Sequence, residues 1–324
     1  MKKHIVLICI FVITYILYLG VATEFTYVPK WSLDYFNQLA RSLQQFRLDI
    51  INPGTTYDLI HYGDKWYAPW GILAALFFIP LQLVKGHYIP PIYVTVFFAS
   101  LNVCLAYLLF NRLKTEFFPT LKRFEVWLLV ILFAFGTTQF YVGTLGSSWH
   151  VDQMVSSFFA NLGVFFVFKK KRRVRDYFLS SLAICISLLG RATLVLLLAI
   201  PFSFYFMKVL RGAKDHKKLM SMLPRALLLF GLPFLFFATL FFLYNFVRFH
   251  NPLEYGYAYI QEAPNLAKIR ETNGVMSLKN LPDNLWYMLF QVPSFRWDKG
   301  LQLNFDLKGN SIFFLTPPLI AAFF

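Results

Sequence analysis

Cysteine is scarce in this 324-residue chain. There are three, Cys9, Cys104 and Cys185, each inside an apolar run. With no CxxC pair among them, a disulfide framework is excluded and a structural zinc site has no basis. Charged residues make up only 15% of the chain, while 58% is hydrophobic. A soluble domain is nearer about 45–50% apolar, so a soluble globular protein is excluded. The chain has no internal repeat and no low-complexity tract. No small-x-small cleavage site follows "MKKHIVLICIFVITYILYLG", which therefore reads as a retained signal-anchor helix over 1–22.

What is present is phenylalanine, 39 residues of it, and a mean hydropathy of +0.55. Apolar runs fall at 5–22, 70–84, 92–111, 126–144, 153–168, 177–190, 192–207 and 226–247. Several approach the roughly 20 residues that cross a bilayer as a helix. The expectation is an all-α polytopic membrane protein: one transmembrane domain over 1–324, a bundle of about eight spanning helices. A last run begins near 311 and meets the end of the chain at Phe324, which predicts a fragment or a shortened form.

The formal charge of +15 is concentrated in short segments between apolar runs. That is the pattern of cytoplasmic loops, so the expected partner is the lipid bilayer and not nucleic acid. "KKKRRVRD" (169–176) and "KVLRGAKDHKK" (208–218) are expected inside. Residues 177–207 then cross twice, as two short helices packed within the bundle that meet at Gly190-Arg191 on the outer side. Counting backwards places 23–91, 145–152 and 248–310 outside and the N-terminus in the cytoplasm. The 70–84 run is then interfacial or re-entrant, as prolines at 69, 80, 90 and 91 suit. A rival topology lets 70–84 cross and leaves Lys2 and Lys3 on the wrong face. "WSLDYFNQLARSLQQFR" puts Leu33, Phe36, Ala40, Leu43 and Phe46 on one face, a surface-lying amphipathic helix with Ser32 as N-cap.

Chemistry collects on the expected outer face: Asp34, Asp58, Asp64, His150, Asp152 and Arg191. Each has a plainer role. Asp34 is a solvated face residue, Asp58 and Asp64 are turn formers, His150 and Asp152 cap the following helix, and Arg191 snorkels to headgroups. Trp31, Tyr62, Trp66, Tyr67, Trp70 and Trp149 make an interfacial aromatic belt or a platform under a sugar ring.

The order of several stretches resembles a known family. They are "LDYFNQLARSL", "YDLIHYGDKWYAPWGILAALFFIP", "FAFGTTQFYVGTLGSSWHVDQ", "LLGRATLVLLLAIP" and, most specifically, "YNFVRFHNPLEYGY". Together they resemble the GT-C glycosyltransferases that use polyprenyl-phosphate sugars: the protein O-mannosyltransferases, the lipid A aminoarabinose transferases and related family 39 proteins. The resemblance implies a multi-pass plasma (inner) membrane enzyme with its active site outside. It implies that Asp34 is the catalytic base and Asp152 a second catalytic acid group. Arg191 then faces the donor phosphate, with Lys65 near it. His150, Asp58, Asp64, Tyr67, Glu254 and Tyr255 are the candidates for binding acceptor or substrate. No cofactor is certain. A divalent metal ion beside the phosphate, held by Asp152 and His150, stays open, and two such ligands do not select among Mg, Mn and Zn. The expected donor is a polyprenyl-phosphate sugar, the acceptor a glycan, lipid or protein hydroxyl, and the transfer inverting. Two other readings compete: a transporter or flippase, which a broken helix would suit, and a non-catalytic envelope assembly protein.

Overall fold

The structure, a computed structural model, describes residues 2–30, 32–86, 88–212, 220, 224–274, 277–297, 300–306 and 308–323. Trp31 and much of the second basic segment lie outside these. The protein is an all-α membrane protein, with two small antiparallel strand pairs among the described residues. Among the described residues four helices are long and apolar enough to cross a bilayer: His4–Ala22, Pro91–Glu116, Ala192–Arg211 and Pro224–Phe249. Their outward faces are apolar, with Ile5, Ile8, Ile13 and Ile16 exposed on the first and Leu235, Phe236, Leu243 and Phe246 on the last. Such a surface is untenable in water and ordinary in lipid.

The apolar N-terminal run forms α1 (Lys2–Ala22). A short α2 (Phe36–Gln44) follows, then a hairpin of β1 (Ile60–Tyr62) and β2 (Lys65–Tyr67) that turns at Gly63-Asp64. Helix α3 (Leu73–Lys85) has 13 residues, about 20 Å, too short for the roughly 30 Å hydrocarbon core. It stops at Gly86, whose φ of 74° is left-handed and suits glycine. Helix α4 (Pro91–Glu116) starts on a proline, whose missing N–H costs nothing at that position.

The apolar run 126–144 is not one helix. It divides into α5 (Arg123–Phe135) and α6 (Thr138–Gly143), where Thr137 Oγ1 accepts from Gln139 N and starts a new turn. Next come α7 (Ser148–Val167) and α8 (Val174–Leu188). The expected break at Gly190-Arg191 is present. Beyond it a 3-10 stretch, Ala192–Leu198, runs into α9 (Ala199–Gly212). This second arm of the hairpin was expected inside the bundle, but only 17% of Ala192–Arg211 is buried. Leu196, Phe202, Phe206 and Leu210 face outward, and α8 is the more buried arm. A π-helical turn, Leu227–Gly231, leads into α10 (Leu232–Phe249). The segment after it carries α11 (Pro264–Asn273), α12 (Leu281–Leu289) and the hairpin β3 (Ser294–Trp297) with β4 (Leu301–Asn304). The last apolar run holds only a short α13 (Ile312–Leu315) and a 3-10 stretch, Pro317–Phe323.

The main core joins α1 to α8 through Tyr18, Phe36, Phe78, Phe98 and Val155. A second cluster of Tyr177, Tyr205 and Phe230 packs where α8 leaves the basic turn. That turn is ordered by Asp176, whose carboxylate accepts from Lys169 Nζ at 2.5 Å and from Arg173 N at 2.6 Å. Arg112 donates to the Phe165 carbonyl at the same end. The bundle thus has a basic end. At the other end meet the finish of α1, the starts of α4 and α7, and the finishes of α8 and α10.

Candidate functional site

The start of α7 organises that second end. Ser148 N donates to the Leu33 carbonyl at 2.9 Å, and Ser148 Oγ accepts from Tyr35 N at 2.9 Å. These two bonds fasten the backbone on either side of Asp34 to residues more than a hundred positions away. Ser32, expected as the N-cap of α2, instead donates its hydroxyl to the Gly146 carbonyl. The cap is Asp34. Its Oδ1 accepts from Phe36 N at 3.0 Å and Asn37 N at 3.2 Å, and its Oδ2 accepts from Asn37 Nδ2 at 2.5 Å. The helix therefore starts at Phe36 and leaves Leu33 before it. Nor does α2 lie free on a surface: Phe36, Asn37, Leu39 and Ala40 are buried, while Phe46 is fully exposed.

Asn37 is held on every side. It donates to the Ile89 carbonyl, accepts from Ile89 N and accepts from Gln82 Nε2 of α3. The Asp34 carboxylate thus sits against a fixed partner. Burial pushes its pKa up to about 6, against the pull of its hydrogen bonds from Asn37 and Phe36 and of the Arg41 charge. It opens on a cavity of about 750 Å³ that Lys30, Asn37, Gln38, Arg41 and Tyr88 also line. Gln38 Oε1 is buried there without a hydrogen-bond partner. A second cavity of about 560 Å³ shares Lys30, Ser32, Leu33 and Thr55 with the first and reaches Trp149.

Asp152 lies one turn along α7 and is 0% exposed. Its Oδ2 is 2.6 Å from Arg191 Nε, and Ser156 Oγ donates to Oδ1 at 3.5 Å. Arg191 also donates from Nη2 to the Trp149 carbonyl at 3.2 Å. Two glycines allow this closeness. A Cβ on Gly190 would stand 2.1 Å from Ser156 Oγ and 2.8 Å from Asp152 Oδ1, and one on Gly71 would stand 1.8 Å from the Leu189 carbonyl oxygen. Arg191 borders two cavities, of about 380 Å³ and 150 Å³. Asp34 and Arg191 therefore line different cavities. Trp149 borders the Asp34 side and Trp70 the Arg191 side, and their rings meet edge to face at 6.0 Å.

The other candidates divide. Asp58 joins the site: its carboxylate is held by Trp149, and burial raises its pKa. Tyr255 lines the smaller Arg191 cavity. His150 Nδ1 is 2.6 Å from Ser147 Oγ, a local contact at the start of α7. Glu254 accepts from Gly256 N at 2.6 Å and shapes its own loop. Tyr67 packs with Ile60 and Phe249 in a small core. Asp64 and Lys65 are exposed on the β1–β2 hairpin. Of the two residues considered for a metal, His150 faces Ser147 and Asp152 pairs with Arg191. Among the described residues no group of three His, Cys, Asp or Glu side chains is placed to hold one.

Sequence reasoning passed over Asn37, Gln38 and Arg41. The signal was present, since 34, 37, 38 and 41 form the polar stripe of the amphipathic segment. It also passed over Arg248, a cation just past the 226–247 apolar run. Comparison with known proteins adds no relative: no family model, no curated protein and no solved structure matches the chain.

Proposed function

We propose that the protein is an integral membrane glycosyltransferase of the GT-C type, with eight crossings and a cytoplasmic N-terminus. It moves a sugar from a polyprenyl-phosphate carrier to an acceptor hydroxyl on the outer face of the plasma membrane. The observation that carries the reading is Asp34, a half-buried carboxylate with a raised pKa, fixed by Asn37 at the wall of a roomy cavity. A carboxylate near pKa 6 is better matched to a general base's task than an ordinary aspartate. The acceptor occupies the Asp34 cavity, where Gln38 Oε1 awaits a donor and Lys30 and Arg41 offer donors of their own. The donor phosphate lies with Arg191, and for the transfer the Trp70–Trp149 contact must part so that the anomeric carbon stands between the acceptor oxygen and the phosphate.

In the transfer, the acceptor oxygen bonds to the anomeric carbon as the bond from that carbon to the phosphate oxygen breaks. The hydroxyl proton passes to Asp34, and the electron pair of the broken bond leaves on the phosphate. Asp152 is a positioning residue, because it touches Arg191 and not the reacting atoms. The orientation draws support from the basic turn at the opposite end of the bundle, since cytoplasmic loops are enriched in Lys and Arg.

The test is transfer by purified protein from a radiolabelled polyprenyl-phosphate sugar to a panel of hydroxyl acceptors. The expected result is label in an acceptor with wild type and none with Asp34→Asn inserted at equal yield. Transfer that is undiminished in Asp34→Asn would sink the assignment of the base. One feature favours a second reading, as a transporter: the broken crossing at Gly190-Arg191 carries a buried ion pair. Substrate uptake into vesicles that depends on Arg191 but not on Asp34 would select it.

A further inference from the structure

The basic end of the bundle carries more positive charge than its own acids match. Arg172 Nε donates to the Val167 carbonyl at 2.7 Å, and its guanidinium lies 3.9 Å from the Phe204 ring of α9. Lys208 Nζ, also of α9, donates to the Arg172 carbonyl at 3.3 Å, which brings cations from two elements together. Arg211 is exposed one turn further along α9, and Arg225 is exposed at the start of the Pro224–Phe249 crossing. The carboxylates of this end are already engaged, Asp176 by Lys169 and Glu116 by the backbone of Lys170. Among the described residues none of Arg172, Lys208, Arg211 and Arg225 pairs with an Asp or Glu.

Beneath these charges the two last crossings part. The end of α9 and the π-turn both pack on Tyr177 of α8, through Tyr205 and Phe230. On their lipid-facing side they leave an apolar gap of about 340 Å³, lined by Leu198, Ala199, Phe202, Phe230, Gly231 and Phe234. Phe202 stands nine residues before Arg211, and Phe234 nine residues after Arg225. The gap therefore lies about 14 Å below the cations on both helices. One leaflet of hydrocarbon is roughly 15 Å deep, half of the roughly 30 Å core, so the gap is at acyl-chain depth. Gly231 has no packing reason to be glycine. Glycine weakens a helix, and in a membrane it is usually kept where another helix comes close. Here a Cβ would meet nothing nearer than Leu227 of its own helix, at 3.5 Å. The backbone there also runs as a π-turn, a form found mostly at functional positions. A helix from a second copy is a poor occupant, because symmetric pairing through this face sets the same unpaired cations against each other. An anionic lipid brings the opposite charge.

We propose that the gap and the cations above it bind one anionic phospholipid from the leaflet at the basic end. An acyl chain fills the gap between α9 and α10, and the head group meets Arg172, Lys208 and Arg211, with Arg225 on the other side. Basic pockets between crossings hold anionic head groups in this way. Lipid tails are as apolar as the gap, so the gap sets where the chain lies and charge supplies most of the affinity. The site is at the end of the bundle opposite Asp34 and Asp152, and it stands whether or not the protein is a transferase.

The experiment is native mass spectrometry of the whole protein in detergent micelles. It is titrated with phosphatidylglycerol and with phosphatidylcholine of the same chains, which keeps the phosphate but has no net charge. Wild type is expected to hold phosphatidylglycerol at least about tenfold more tightly, at about fivefold for each cation engaged. Lys208→Gln combined with Arg211→Gln is expected to lose most of that preference. Gly231→Leu fills the gap without touching a charge, and its Cβ has room, so it reads the site even if the double variant fails to fold. It is expected to weaken phosphatidylglycerol about three- to tenfold through lost chain contacts. Equal binding of the two lipids by wild type would overturn the proposal. So would a preference undiminished in the folded double variant, or binding unchanged in Gly231→Leu. Glycerol phosphate is the competitor, a head without a chain: displacement of the lipid by millimolar amounts would assign the cations to a free anion and sink the lipid site. A dimer that Gly231→Leu splits into monomers would give the gap to a second copy and sink it as well.

Discussion

Asp34 shows how one residue serves two ends. As the cap of α2 it takes two backbone N–H groups that would otherwise be orphaned, and as a buried carboxylate it resists ionisation. In the reading proposed here the active form is the deprotonated one. The rate is therefore expected to fall as pH drops through about 6, and a pH–rate profile checks the position of that limb. Stability runs the other way. A raised folded pKa means that Asp34's contribution to stability is full below the ordinary carboxylate value and is lost as pH rises through about 6. Asp34→Asn keeps the backbone cap, since asparagine is an equally good one, but it sets its NH2 against Asn37 Nδ2, which donated to the carboxylate; it is expected to lower the rate about 10²- to 10⁴-fold and to cost about 1 kcal/mol of stability. The Asp152–Arg191 pair invites a different test. Asp152→Asn strands a charge and is expected to cost about 3 kcal/mol, the low end for a buried pair because the Arg191 side chain is 31% exposed. Adding Arg191→Gln to it is expected to recover part of that loss, and chemical unfolding in micelles measures both.

At the scale of elements, close approach decides more than helix propensity. The loop before α3 crosses the end of α8 so tightly that a Cβ on Gly71 would overlap a backbone oxygen, whereas a Cβ on Gly190 meets side-chain atoms, the Ser156 hydroxyl at 2.1 Å, which can rotate away, and Asp152 Oδ1 at 2.8 Å, which need move by only a few tenths of an ångström. Gly71→Ala is therefore expected to destabilise by about 3 kcal/mol, the upper range for overpacking, and Gly190→Ala by about 1 kcal/mol. The reverse order of melting temperatures would show that the junction is looser than described. The elements also show what periodicity conveys and what it omits. The apolar stripe of 33–46 announced a helix, and its polar stripe held the site. The start at Phe36 was hidden, because the choice of Asp34 over Ser32 as cap depends on Gly146, which takes the serine hydroxyl away. The division of 126–144 at Gly136 was hidden for a similar reason: hydropathy is blind to a turn made by Thr137 accepting a backbone N–H.

For the whole molecule, the separation of a basic end from the site end predicts sidedness. Cys9, Cys104 and Cys185 are first replaced. Single cysteines beside Asp34, Asp58 and Asn251 are then expected to react with an impermeant thiol reagent on intact cells, and one at Lys171 only after lysis. Labelling of Lys171 on intact cells would reverse the orientation and remove the outer-face site with it. The membrane character itself was legible from the amino-acid sequence, since burial of apolar surface in lipid depends on composition and run length. So was the break at Gly190-Arg191. What only the tertiary structure decided is which distant residues share a wall: Asp34 beside Ser148, Asp58 on Trp149, Arg191 on Asp152, Arg248 against Ala68. Most of these links run through backbone carbonyls and amides, which every residue carries alike, or through glycines whose meaning lies in what would collide with them. Neither leaves a mark in a linear sequence, and so the residues could be singled out one by one while their division among separate cavities could not.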